Sequence, residues 1–417
     1  MGLAGRTVVV GLSGGIACYK ACDLVRLLGQ RGAAVRVVMT AGAQAFVAPL
    51  TLQTLSGHPV ASETFSLTQE SEIGHIHLAD TADAVVVAPA TANVLAKLAA
   101  GLADDLLTTV LLATRAPVLV APAMNVHMWE HPATRENLAR LVARGVRVVG
   151  PGVGSLACGY EGAGRLAEAG EIVEAIECLL TPQDLVGERI LVSAGPTQEA
   201  IDPVRYLSNH SSGKMGYAIA RVARRRGADV VLVRGPTSEA PPAGVRCVAV
   251  ASAREMEQAL VAEFSRATAL VMAAAVADYR VREPLARKLK KAARRLVLEL
   301  ERTPDILAGL AARKGRRLVV GFAAETHAVV EEARRKLREK RLDLIVANDV
   351  TAPGAGFGAD TNIVRLLDAT GLDEALPVLP KEEVAGRILD WVVARRSRAA
   401  VRRRRSAGPA ARRRSRA

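Results

Sequence analysis

The chain has 417 residues, half of them hydrophobic but only 3% aromatic, and a formal net charge of +14. This length exceeds one ordinary hydrophobic core, so two domains are expected. The longest apolar runs, such as residues 84–88, are far shorter than the ~20 residues of a membrane-spanning helix, and the N-terminus has no secretory signal pattern. Five scattered cysteines argue against a disulfide framework. The composition therefore favours a cytoplasmic α/β enzyme without a membrane partner.

The positive charge is concentrated at the C-terminus. Residues 395–417 contain eleven arginines and no acidic residue, which leaves only +3 of the net +14 for the first 394 residues. Such a low-complexity segment is predicted to be a disordered tail. A solvated extension without a dedicated role explains it, and non-specific attraction to RNA or another acidic surface is the alternative. We expect no specific nucleic-acid partner.

In the first half, β-branched runs alternate with helical patterns in the manner of parallel βαβ units. Helices are expected at residues 16–31, 132–144 and 171–180. The strands are predicted at residues 7–10, 35–39, 84–88, 118–121 and 146–149.

A polar segment, TPQDLVGER, follows the third helix, and a second series of strands begins after it. The predicted fold class is therefore α/β, with two Rossmann-like doubly wound domains at residues 1–185 and 186–394 and a disordered basic tail at 395–417. The strands of the second domain are predicted at residues 190–193, 230–233, 270–274, 318–322 and 344–347.

Ser13, Gly14 and Gly15 connect the first strand to its helix. Glycines let the backbone approach a phosphate closely, and the N-terminus of the helix supplies free N–H groups. The full G-x-G-x-x-G fingerprint is not present, so a plain tight turn explains these glycines equally well.

Polar side chains follow two further strands of this half. Thr91 and Asn93 follow the third strand in APATAN, and Asn125 follows the fourth in APAMN. Ligands of open parallel sheets bind at the carboxyl ends of the strands. The amide of Asn125 is suited to hold a carboxylate or an oxyanion.

Two pairs of histidines raise the question of a metal site. His75 and His77 alternate in GHIHLAD and would share one face of a strand, while His127 and His131 are four residues apart. No cysteine or acidic third ligand stands at a regular spacing near either pair, so metal ligation is disfavoured and no metal ligand is assigned.

Cys158 lies in a glycine-rich segment, LACGYEGAGR. A cysteine in a glycine-rich loop is placed to meet a substrate, whereas a buried cysteine is usually inert. Cys18 and Cys22 share one helix face and are assigned to the core.

Taken together, the first-half motifs resemble the FMN-dependent cysteine decarboxylases. The marks of that family occur in order from residue 1 to about residue 180, as S-G-G-I, a histidine, P-A-T-A-N, P-A-M-N-x-x-M-W and A-C-G. The resemblance implies a flavodoxin-like flavoprotein domain and assigns His75, Asn125 and Cys158 to the substrate. It assigns the FMN site to Ser13, Gly14, Gly15, Thr91 and Asn93.

The implied reaction avoids the unstabilised carbanion that direct loss of CO₂ from a cysteine carboxylate would leave. Hydride transfer from the CH₂–S carbon to FMN gives a thioaldehyde, whose C=S group accepts the electrons as CO₂ leaves. Return of the hydride, with Cys158 as proton donor, restores the flavin, so no external oxidant is needed. His75 would act as base or electrostatic partner, and Asn125 would bind the carboxylate.

The second half contains RYLSNHSSGKMG at residues 205–216. Its amides and hydroxyls suit a phosphate, but it fails the Walker A pattern twice. Ser208 occupies the position of the first glycine, and Met215 stands where the magnesium-binding Ser or Thr belongs.

This segment resembles the signature of the bacterial phosphopantothenate–cysteine ligase domain, and the resemblance extends over about residues 187–391. Ala200, five residues before this segment, stands where the family usually has a proline, and this difference affects only local loop stiffness. A basic cluster, KLKK, contains Lys288, although a solvated helix face would also explain that cluster. Four other segments agree with the family: AAAVADYR, TPDIL, GFAAET and GFGADTN.

In the implied reaction, the carboxylate of 4′-phosphopantothenate attacks the α-phosphate of CTP and releases pyrophosphate, and the cysteine amine then displaces CMP from the resulting acyl-cytidylate. Lys288 would stabilise charge on the phosphates, Asn209 would hold the intermediate, and Mg²⁺ is expected on the triphosphate. The choice of CTP over ATP depends on the resemblance alone. The CTP contacts assigned by resemblance are Asp278, Lys288, Pro304, Asp305, Ile306, Leu307, Phe322, Lys336 and Lys340.

The two implied reactions are consecutive, because the ligase product is the decarboxylase substrate. We therefore predict a bifunctional enzyme of coenzyme A biosynthesis with small-molecule substrates, and a homo-oligomer because such domains usually share sites between subunits. The alternatives are a flavoprotein decarboxylase of another substrate, such as a peptide C-terminal cysteine, and a non-catalytic RNA-associated flavoprotein.

Overall fold

The computed structural model describes residues 2–63, 74–157, 159–290, 296–325, 327–349 and 358–406. The chain divides into two compact units, Met1–Thr181 and Pro182–Ala417. Each unit is described by itself. None of the described helices is long and apolar enough to cross a membrane.

The first unit contains a five-stranded parallel sheet with the order β2-β1-β3-β4-β5. The strands predicted from the sequence are all present. Every residue of β3 is buried, because helices cover both faces of a parallel sheet. The bounds are β1 Thr7–Leu12, β2 Ala34–Met39, β3 Ala84–Ala90, β4 Val118–Pro122 and β5 Arg147–Val148.

Helices on the two faces of this sheet enclose two hydrophobic clusters. The single helix expected at residues 16–31 is divided, because the chain first forms a 3₁₀ turn, Ile16–Lys20, and then α1. The helix bounds are α1 Ala21–Gln30, α2 Ala41–Gln44, α3 Pro49–Ser56, α4 His75–Thr81, α5 Ala92–Ala100, α6 Leu106–Ala113, α7 Val126–Glu130, α8 Pro132–Ala143 and α9 Ala169–Leu180.

The glycine-rich segment before α9 is an antiparallel hairpin of β6, Gly152–Ser155, and β7, Glu161–Arg165. The sequence indicated only a loop here, because four glycines within the two strands give them low strand propensity. Cys158 lies between these two strands in the sequence and is outside the described residues.

The second unit is built on an eight-stranded sheet with the order β12-β11-β8-β13-β16-β17-β19-β20. The five predicted strands form its centre, and β19 and β20 extend it by antiparallel pairing. Strands β12, β19 and β20, at the two ends of this sheet, were not predicted from the sequence. The bounds are β8 Arg189–Ala194, β11 Asp229–Arg234, β12 Arg246–Ala249, β13 Ala269–Met272, β16 Leu318–Glu325, β17 Leu344–Asp349, β19 Val364–Asp368 and β20 Asp373–Ala375.

Within the described part of this unit, three short antiparallel pairs and five helices surround the larger sheet, again over two hydrophobic clusters. The pairs are β9 Gln198–Ala200 with β10 Tyr206–Ser208, β14 Tyr279–Val281 with β15 Leu300–Arg302, and β18 Thr361–Asn362 with β21 Leu379–Pro380. The helices are α10 Lys214–Arg225, α11 Ala253–Phe264, α12 Ile306–Ala312, α13 Val329–Glu339 and α14 Lys381–Ser406.

Helix α14 continues into the segment that was expected to be the tail. Arg395 pairs with Asp368 at 2.6 Å, and Arg396 pairs with Glu188 at 2.9 Å. The predicted tail boundary at residue 395 is therefore wrong by at least two residues, because these arginines have acidic partners elsewhere in the unit. Residues 407–417 lie outside the described residues.

Candidate active sites

The first unit has a cavity of about 620 Å³ at the carboxyl ends of β1, β3 and β4, next to the β6–β7 hairpin. Open parallel sheets bind ligands at this edge. The wall contains four predicted site residues, namely Gly14, Gly15, Thr91 and Asn125. Met124, Met128 and Arg165 also line it; they lie within the quoted motifs, but no role was assigned to them from the sequence.

Ser13 lies just behind the cavity wall and is 1% exposed. Its hydroxyl donates to the carbonyl of Pro89 at 2.7 Å and accepts from the N–H of Thr91 at 2.9 Å. The side chain therefore joins the loop after β1 to the loop after β3. Its hydroxyl group both donates and accepts a hydrogen bond within the protein.

Close backbone contacts shape the cavity at two glycines. A Cβ atom at Gly14 would lie 2.8 Å from the carbonyl carbon of Gly42, so the loops after β1 and β2 meet without room for a side chain. At Gly164, with φ near +158°, a Cβ atom would lie 2.2 Å from the carbonyl oxygen of Met124. The hairpin therefore lies directly against the loop that carries Asn125.

Asn125 caps helix α7, and its Oδ1 accepts from the N–H of His127 at 2.8 Å. The ring of His127 packs edge-on against Tyr160. His131 caps α8, with its Nδ1 accepting from the N–H of Ala133 at 3.2 Å. The spacing of these histidines thus reflects capping and packing, and the described residues contain no group of three or more potential metal-ligating side chains.

The expectation that His75 and His77 share one strand face is wrong, since both belong to the first turn of helix α4. His75 is partly buried and His77 is exposed. The Nδ1 atom of His75 is buried and has no hydrogen-bond partner among the described residues. Neither His75 nor Asn93, which is exposed in the first turn of α5, lines the cavity.

The second unit has a larger cavity, of about 810 Å³, at the carboxyl ends of β13 and β16 and near the start of α12. Residues far apart in sequence meet here. The predicted site residues that line it are Asn209, Asp278, Pro304, Asp305, Ile306, Leu307, Phe322, Lys336 and Lys340. Four other polar residues in the wall were not assigned from the sequence, namely His210, Tyr279, Arg302 and Thr303.

The amide of Asn209 is fixed against the end of β13. Its Nδ2 donates to the carbonyls of Ala275 at 3.3 Å and of Val276 at 3.1 Å. Because the amino group is used in this way, the Oδ1 atom is the part of the side chain that can accept a hydrogen bond from a ligand.

Asp305 and Lys340 form an ion pair at 2.8 Å in the wall of the same cavity. Asp305 also caps α12 by accepting from the N–H of Ala308 at 3.0 Å. Burial by itself would raise the pKa of Asp305, but these two hydrogen bonds and the charge of Lys336 together lower the pKa below its usual value. The wall of the cavity thus contains three basic side chains, Arg302, Lys336 and Lys340, and the carboxyl groups of Asp278 and Asp305.

Lys288 is exposed and does not line the cavity. The next residue, Leu289, donates its N–H to buried Asp202 at 3.1 Å, and its carbonyl accepts from Arg205 at 3.2 Å. Asp202 and Arg205 therefore anchor the chain beside Lys288. Residues 291–295 lie outside the described residues.

Two family models match the chain, one over each unit. The model described as Flavoprotein matches residues 2–181, and the model described as DNA/pantothenate metabolism flavoprotein C-terminal domain matches residues 185–395. Together they define the class as two-domain flavoproteins of pantothenate metabolism.

Similarity to individual curated proteins identifies a particular family within this class. The Coenzyme A biosynthesis bifunctional protein CoaBC of Bacillus subtilis (strain 168) is 48% identical over 396 residues, covering 94% of this chain and 98% of the relative. CoaBC of Escherichia coli (strain K12) is 48% identical over 400 residues, covering 95% and 98%. A crystal structure of the C-terminal domain of a CoaBC protein is 45% identical, covers 51% of this chain and 97% of that chain, and has a TM-score of 0.44.

The chain belongs to the CoaBC family of bifunctional coenzyme A biosynthesis proteins. It is an enzyme with phosphopantothenoylcysteine decarboxylase and phosphopantothenate–cysteine ligase activities. The family recognised from the sequence is thus confirmed.

Proposed function

We propose that the predicted domain at residues 1–185 is the FMN-dependent decarboxylase and that residues 186–394 form the CTP-dependent ligase. The observation that carries this proposal is the pair of cavities, each lined by residues that the corresponding resemblance assigned. The ligase joins 4′-phosphopantothenate to cysteine, and the decarboxylase converts the product, 4′-phospho-N-pantothenoylcysteine, to 4′-phosphopantetheine.

The first cavity fits a flavin mononucleotide. Gly14 brings the backbone close to the loop after β2, where no side chain fits, and the Thr91 hydroxyl lies at the start of a nine-residue helix. Both features suit a phosphate. FMN, when bound, would supply reversible hydride acceptance at the CH₂–S carbon. Gly14, Gly15 and Thr91 would hold it, with Ser13 fixing their loops and Asn93 at the periphery.

The protein side chains have separate roles in decarboxylation. Asn125 lines the cavity and would bind the substrate carboxylate through its amide. His75, whose buried Nδ1 has no hydrogen-bond partner among the described residues, would accept a proton or stabilise negative charge. Cys158, whose placement is outside the described residues, would donate the proton that completes the product.

In the second cavity, Asn209 would hold the acyl-cytidylate while the cysteine amine attacks. Lys336 and Lys340 would contact CTP, and Lys288 would stabilise charge on the phosphates or the acyl phosphate from its loop. Mg²⁺ would enter on the triphosphate, because Mg²⁺ is usually held by one or two carboxylates together with substrate phosphates. The remaining CTP contacts would be Asp278, Pro304, Asp305, Ile306, Leu307 and Phe322.

We also propose a cytoplasmic homo-oligomer without a specific nucleic-acid partner. The four cysteines that the structure describes are free thiols, as is typical of proteins in a reducing compartment. Exposed Tyr19 and Met128 at the first cavity are apolar surface that a second copy could cover.

Carboxyl-labelled cysteine tests both activities at once. The purified protein is incubated with FMN, Mg²⁺, 4′-phosphopantothenate and labelled cysteine, with and without CTP, and released CO₂ is trapped. We expect label release only with CTP. Absence of release under all conditions would contradict the proposal, and preformed 4′-phospho-N-pantothenoylcysteine would then identify the inactive half. ATP in place of CTP tests the nucleotide.

A further inference from the structure

Lys214, the lysine of the S-S-G-K-M-G segment, forms hydrogen bonds with other parts of the protein. It is the first residue of α10, and its Nζ donates to Asp360 Oδ1 at 2.6 Å and to the carbonyl of Gly358 at 3.1 Å. The hydrogen bond that Lys214 donates to the Asp360 carboxylate raises the pKa of Lys214 above its usual value. The ammonium group is therefore charged and directed at the chain just before β18.

A second lysine holds the same short stretch. Lys381, at the start of α14, is buried, and its Nζ donates to the carbonyls of Ala359 and Thr361, the latter at 2.8 Å. Its backbone N–H donates to the carbonyl of Asp360 at 3.0 Å. Four consecutive residues, 358–361, are thus held by two ammonium groups.

Lys214 is separated from Asn209 by only four residues, and this connection is also fixed between its ends. The Thr237 hydroxyl donates to the carbonyl of Ser212 at 2.6 Å. Gly213 has φ of +81°, and a Cβ atom there would lie 3.3 Å from the N atom of Gly195. This short connection therefore has little conformational freedom, and the placement of Lys214 at one end limits where Asn209 can lie in the cavity wall.

We propose that Lys214, Asp360 and Lys381 form a clamp that positions Asn209 for the ligase reaction, with Lys214 acting through the backbone and touching no substrate. This inference rests on the proposed ligase site around Asn209. Asp360 is 89% exposed, and exposed ion pairs contribute little to stability. Loss of the pair should therefore change geometry more than folding.

The test compares Lys214→Met, Asp360→Asn, the double variant and Lys214→Arg in the full-length enzyme. Ligase turnover is measured as CTP-dependent pyrophosphate release, and decarboxylation is measured on preformed 4′-phospho-N-pantothenoylcysteine. Arg387→Met is the matched control, since Arg387 forms a 2.8 Å ion pair with Glu374 on the same unit. Thermal unfolding of every variant reports on folding.

We expect Lys214→Met and Asp360→Asn each to lower the ligase kcat about tenfold, because small misplacements of a positioning group are costly. The KM for CTP and for 4′-phosphopantothenate should stay within about twofold, which separates positioning from binding. The double variant should be no worse than either single variant. Lys214→Arg should recover most of the activity, and decarboxylation should not change.

A higher KM for 4′-phosphopantothenate in Lys214→Met, with Asp360→Asn unaffected, would show instead that Lys214 binds the substrate phosphate. Wild-type kcat in Asp360→Asn would also overturn the clamp. If Lys214→Met does not fold, Asp360→Asn and Lys214→Arg still decide the question. An inactive wild-type ligase would contradict the proposed function and not the clamp alone.

Discussion

Lys340 and Asp305 form an ion pair of 2.8 Å in the wall of the ligase cavity, and the same carboxylate caps helix α12. A pair assigned to CTP binding therefore also holds the local structure together. Variants at Asp305 and Lys340 should separate the contribution of this pair to folding stability from its contribution to CTP affinity.

Asp305→Ala should destabilise the second unit by about 1 kcal/mol, because it removes the cap of α12. Asp305→Asn should cost less, since Asn caps helices as well as Asp and only the ion pair is lost. Urea unfolding followed by Trp391 fluorescence, in a Trp129→Phe background, measures both values because the chain has two tryptophans.

The cost of Asp305→Asn should depend on pH. The pKa of Asp305 is lower in the folded protein than its ordinary value of 3.8. Its charge therefore stabilises the fold above that value, and this contribution is lost as the pH falls through the folded pKa. Unfolding at pH 7 and near pH 3 should show the difference between variant and wild type shrinking at the lower pH.

Lys340→Met should weaken CTP binding by roughly tenfold, because one cation that faces the triphosphate is removed. Lys314→Met is the control, since Lys314 also pairs with an aspartate, Asp343, at 2.8 Å but does not line the cavity. Titration calorimetry with CTP gives both affinities. Equal affinities in the two variants would contradict the assignment of Lys340.

Ser13→Ala should destabilise the first unit by about 1–3 kcal/mol, because the buried N–H of Thr91 loses its partner. The flavin should be held more weakly as well, since the two loops are no longer joined. Thr54→Ala, at an exposed hydroxyl that bonds only within its own helix, is the control. Flavin retained after gel filtration of each variant provides the measurement, and equal retention would argue against the role of Ser13.

Gly164→Ala should strongly reduce decarboxylation and leave the ligase reaction unchanged. The added Cβ atom would lie 2.2 Å from the carbonyl oxygen of Met124, so the hairpin has to move away from the cavity. Gly170→Ala, at a helical position with open space around it, should be neutral or slightly stabilising. Assaying both reactions on both variants decides the outcome.

Truncation after Ser397 should leave both activities intact, because the family match ends at residue 395. Truncation after Ala394 should destabilise the second unit by about 1–3 kcal/mol, since buried Asp368 loses Arg395 and retains Trp391. Thermal unfolding of the two truncated chains tests this difference. Identical midpoints would show that the Arg395 pair contributes nothing.

Much of this protein could be predicted from its sequence. The ten predicted strands exist because runs such as Ala84–Ala90 are buried on both faces of a parallel sheet and so read as continuous apolar segments. The short antiparallel strands could not be found, because their few residues, as in Gly152–Ser155, lack an apolar pattern.

The motifs also indicated which residues gather around the two cavities, since the carboxyl ends of parallel strands meet at one edge. Only the tertiary structure decided what each side chain does there. The hydroxyl of Ser13 forms hydrogen bonds that join two loops. The ammonium group of Lys214 pairs with Asp360 and does not face a ligand site. His75 begins a helix although its spacing from His77 suggested a strand. Hydrogen-bond partners come from segments distant in sequence, so spacing along the chain does not specify them.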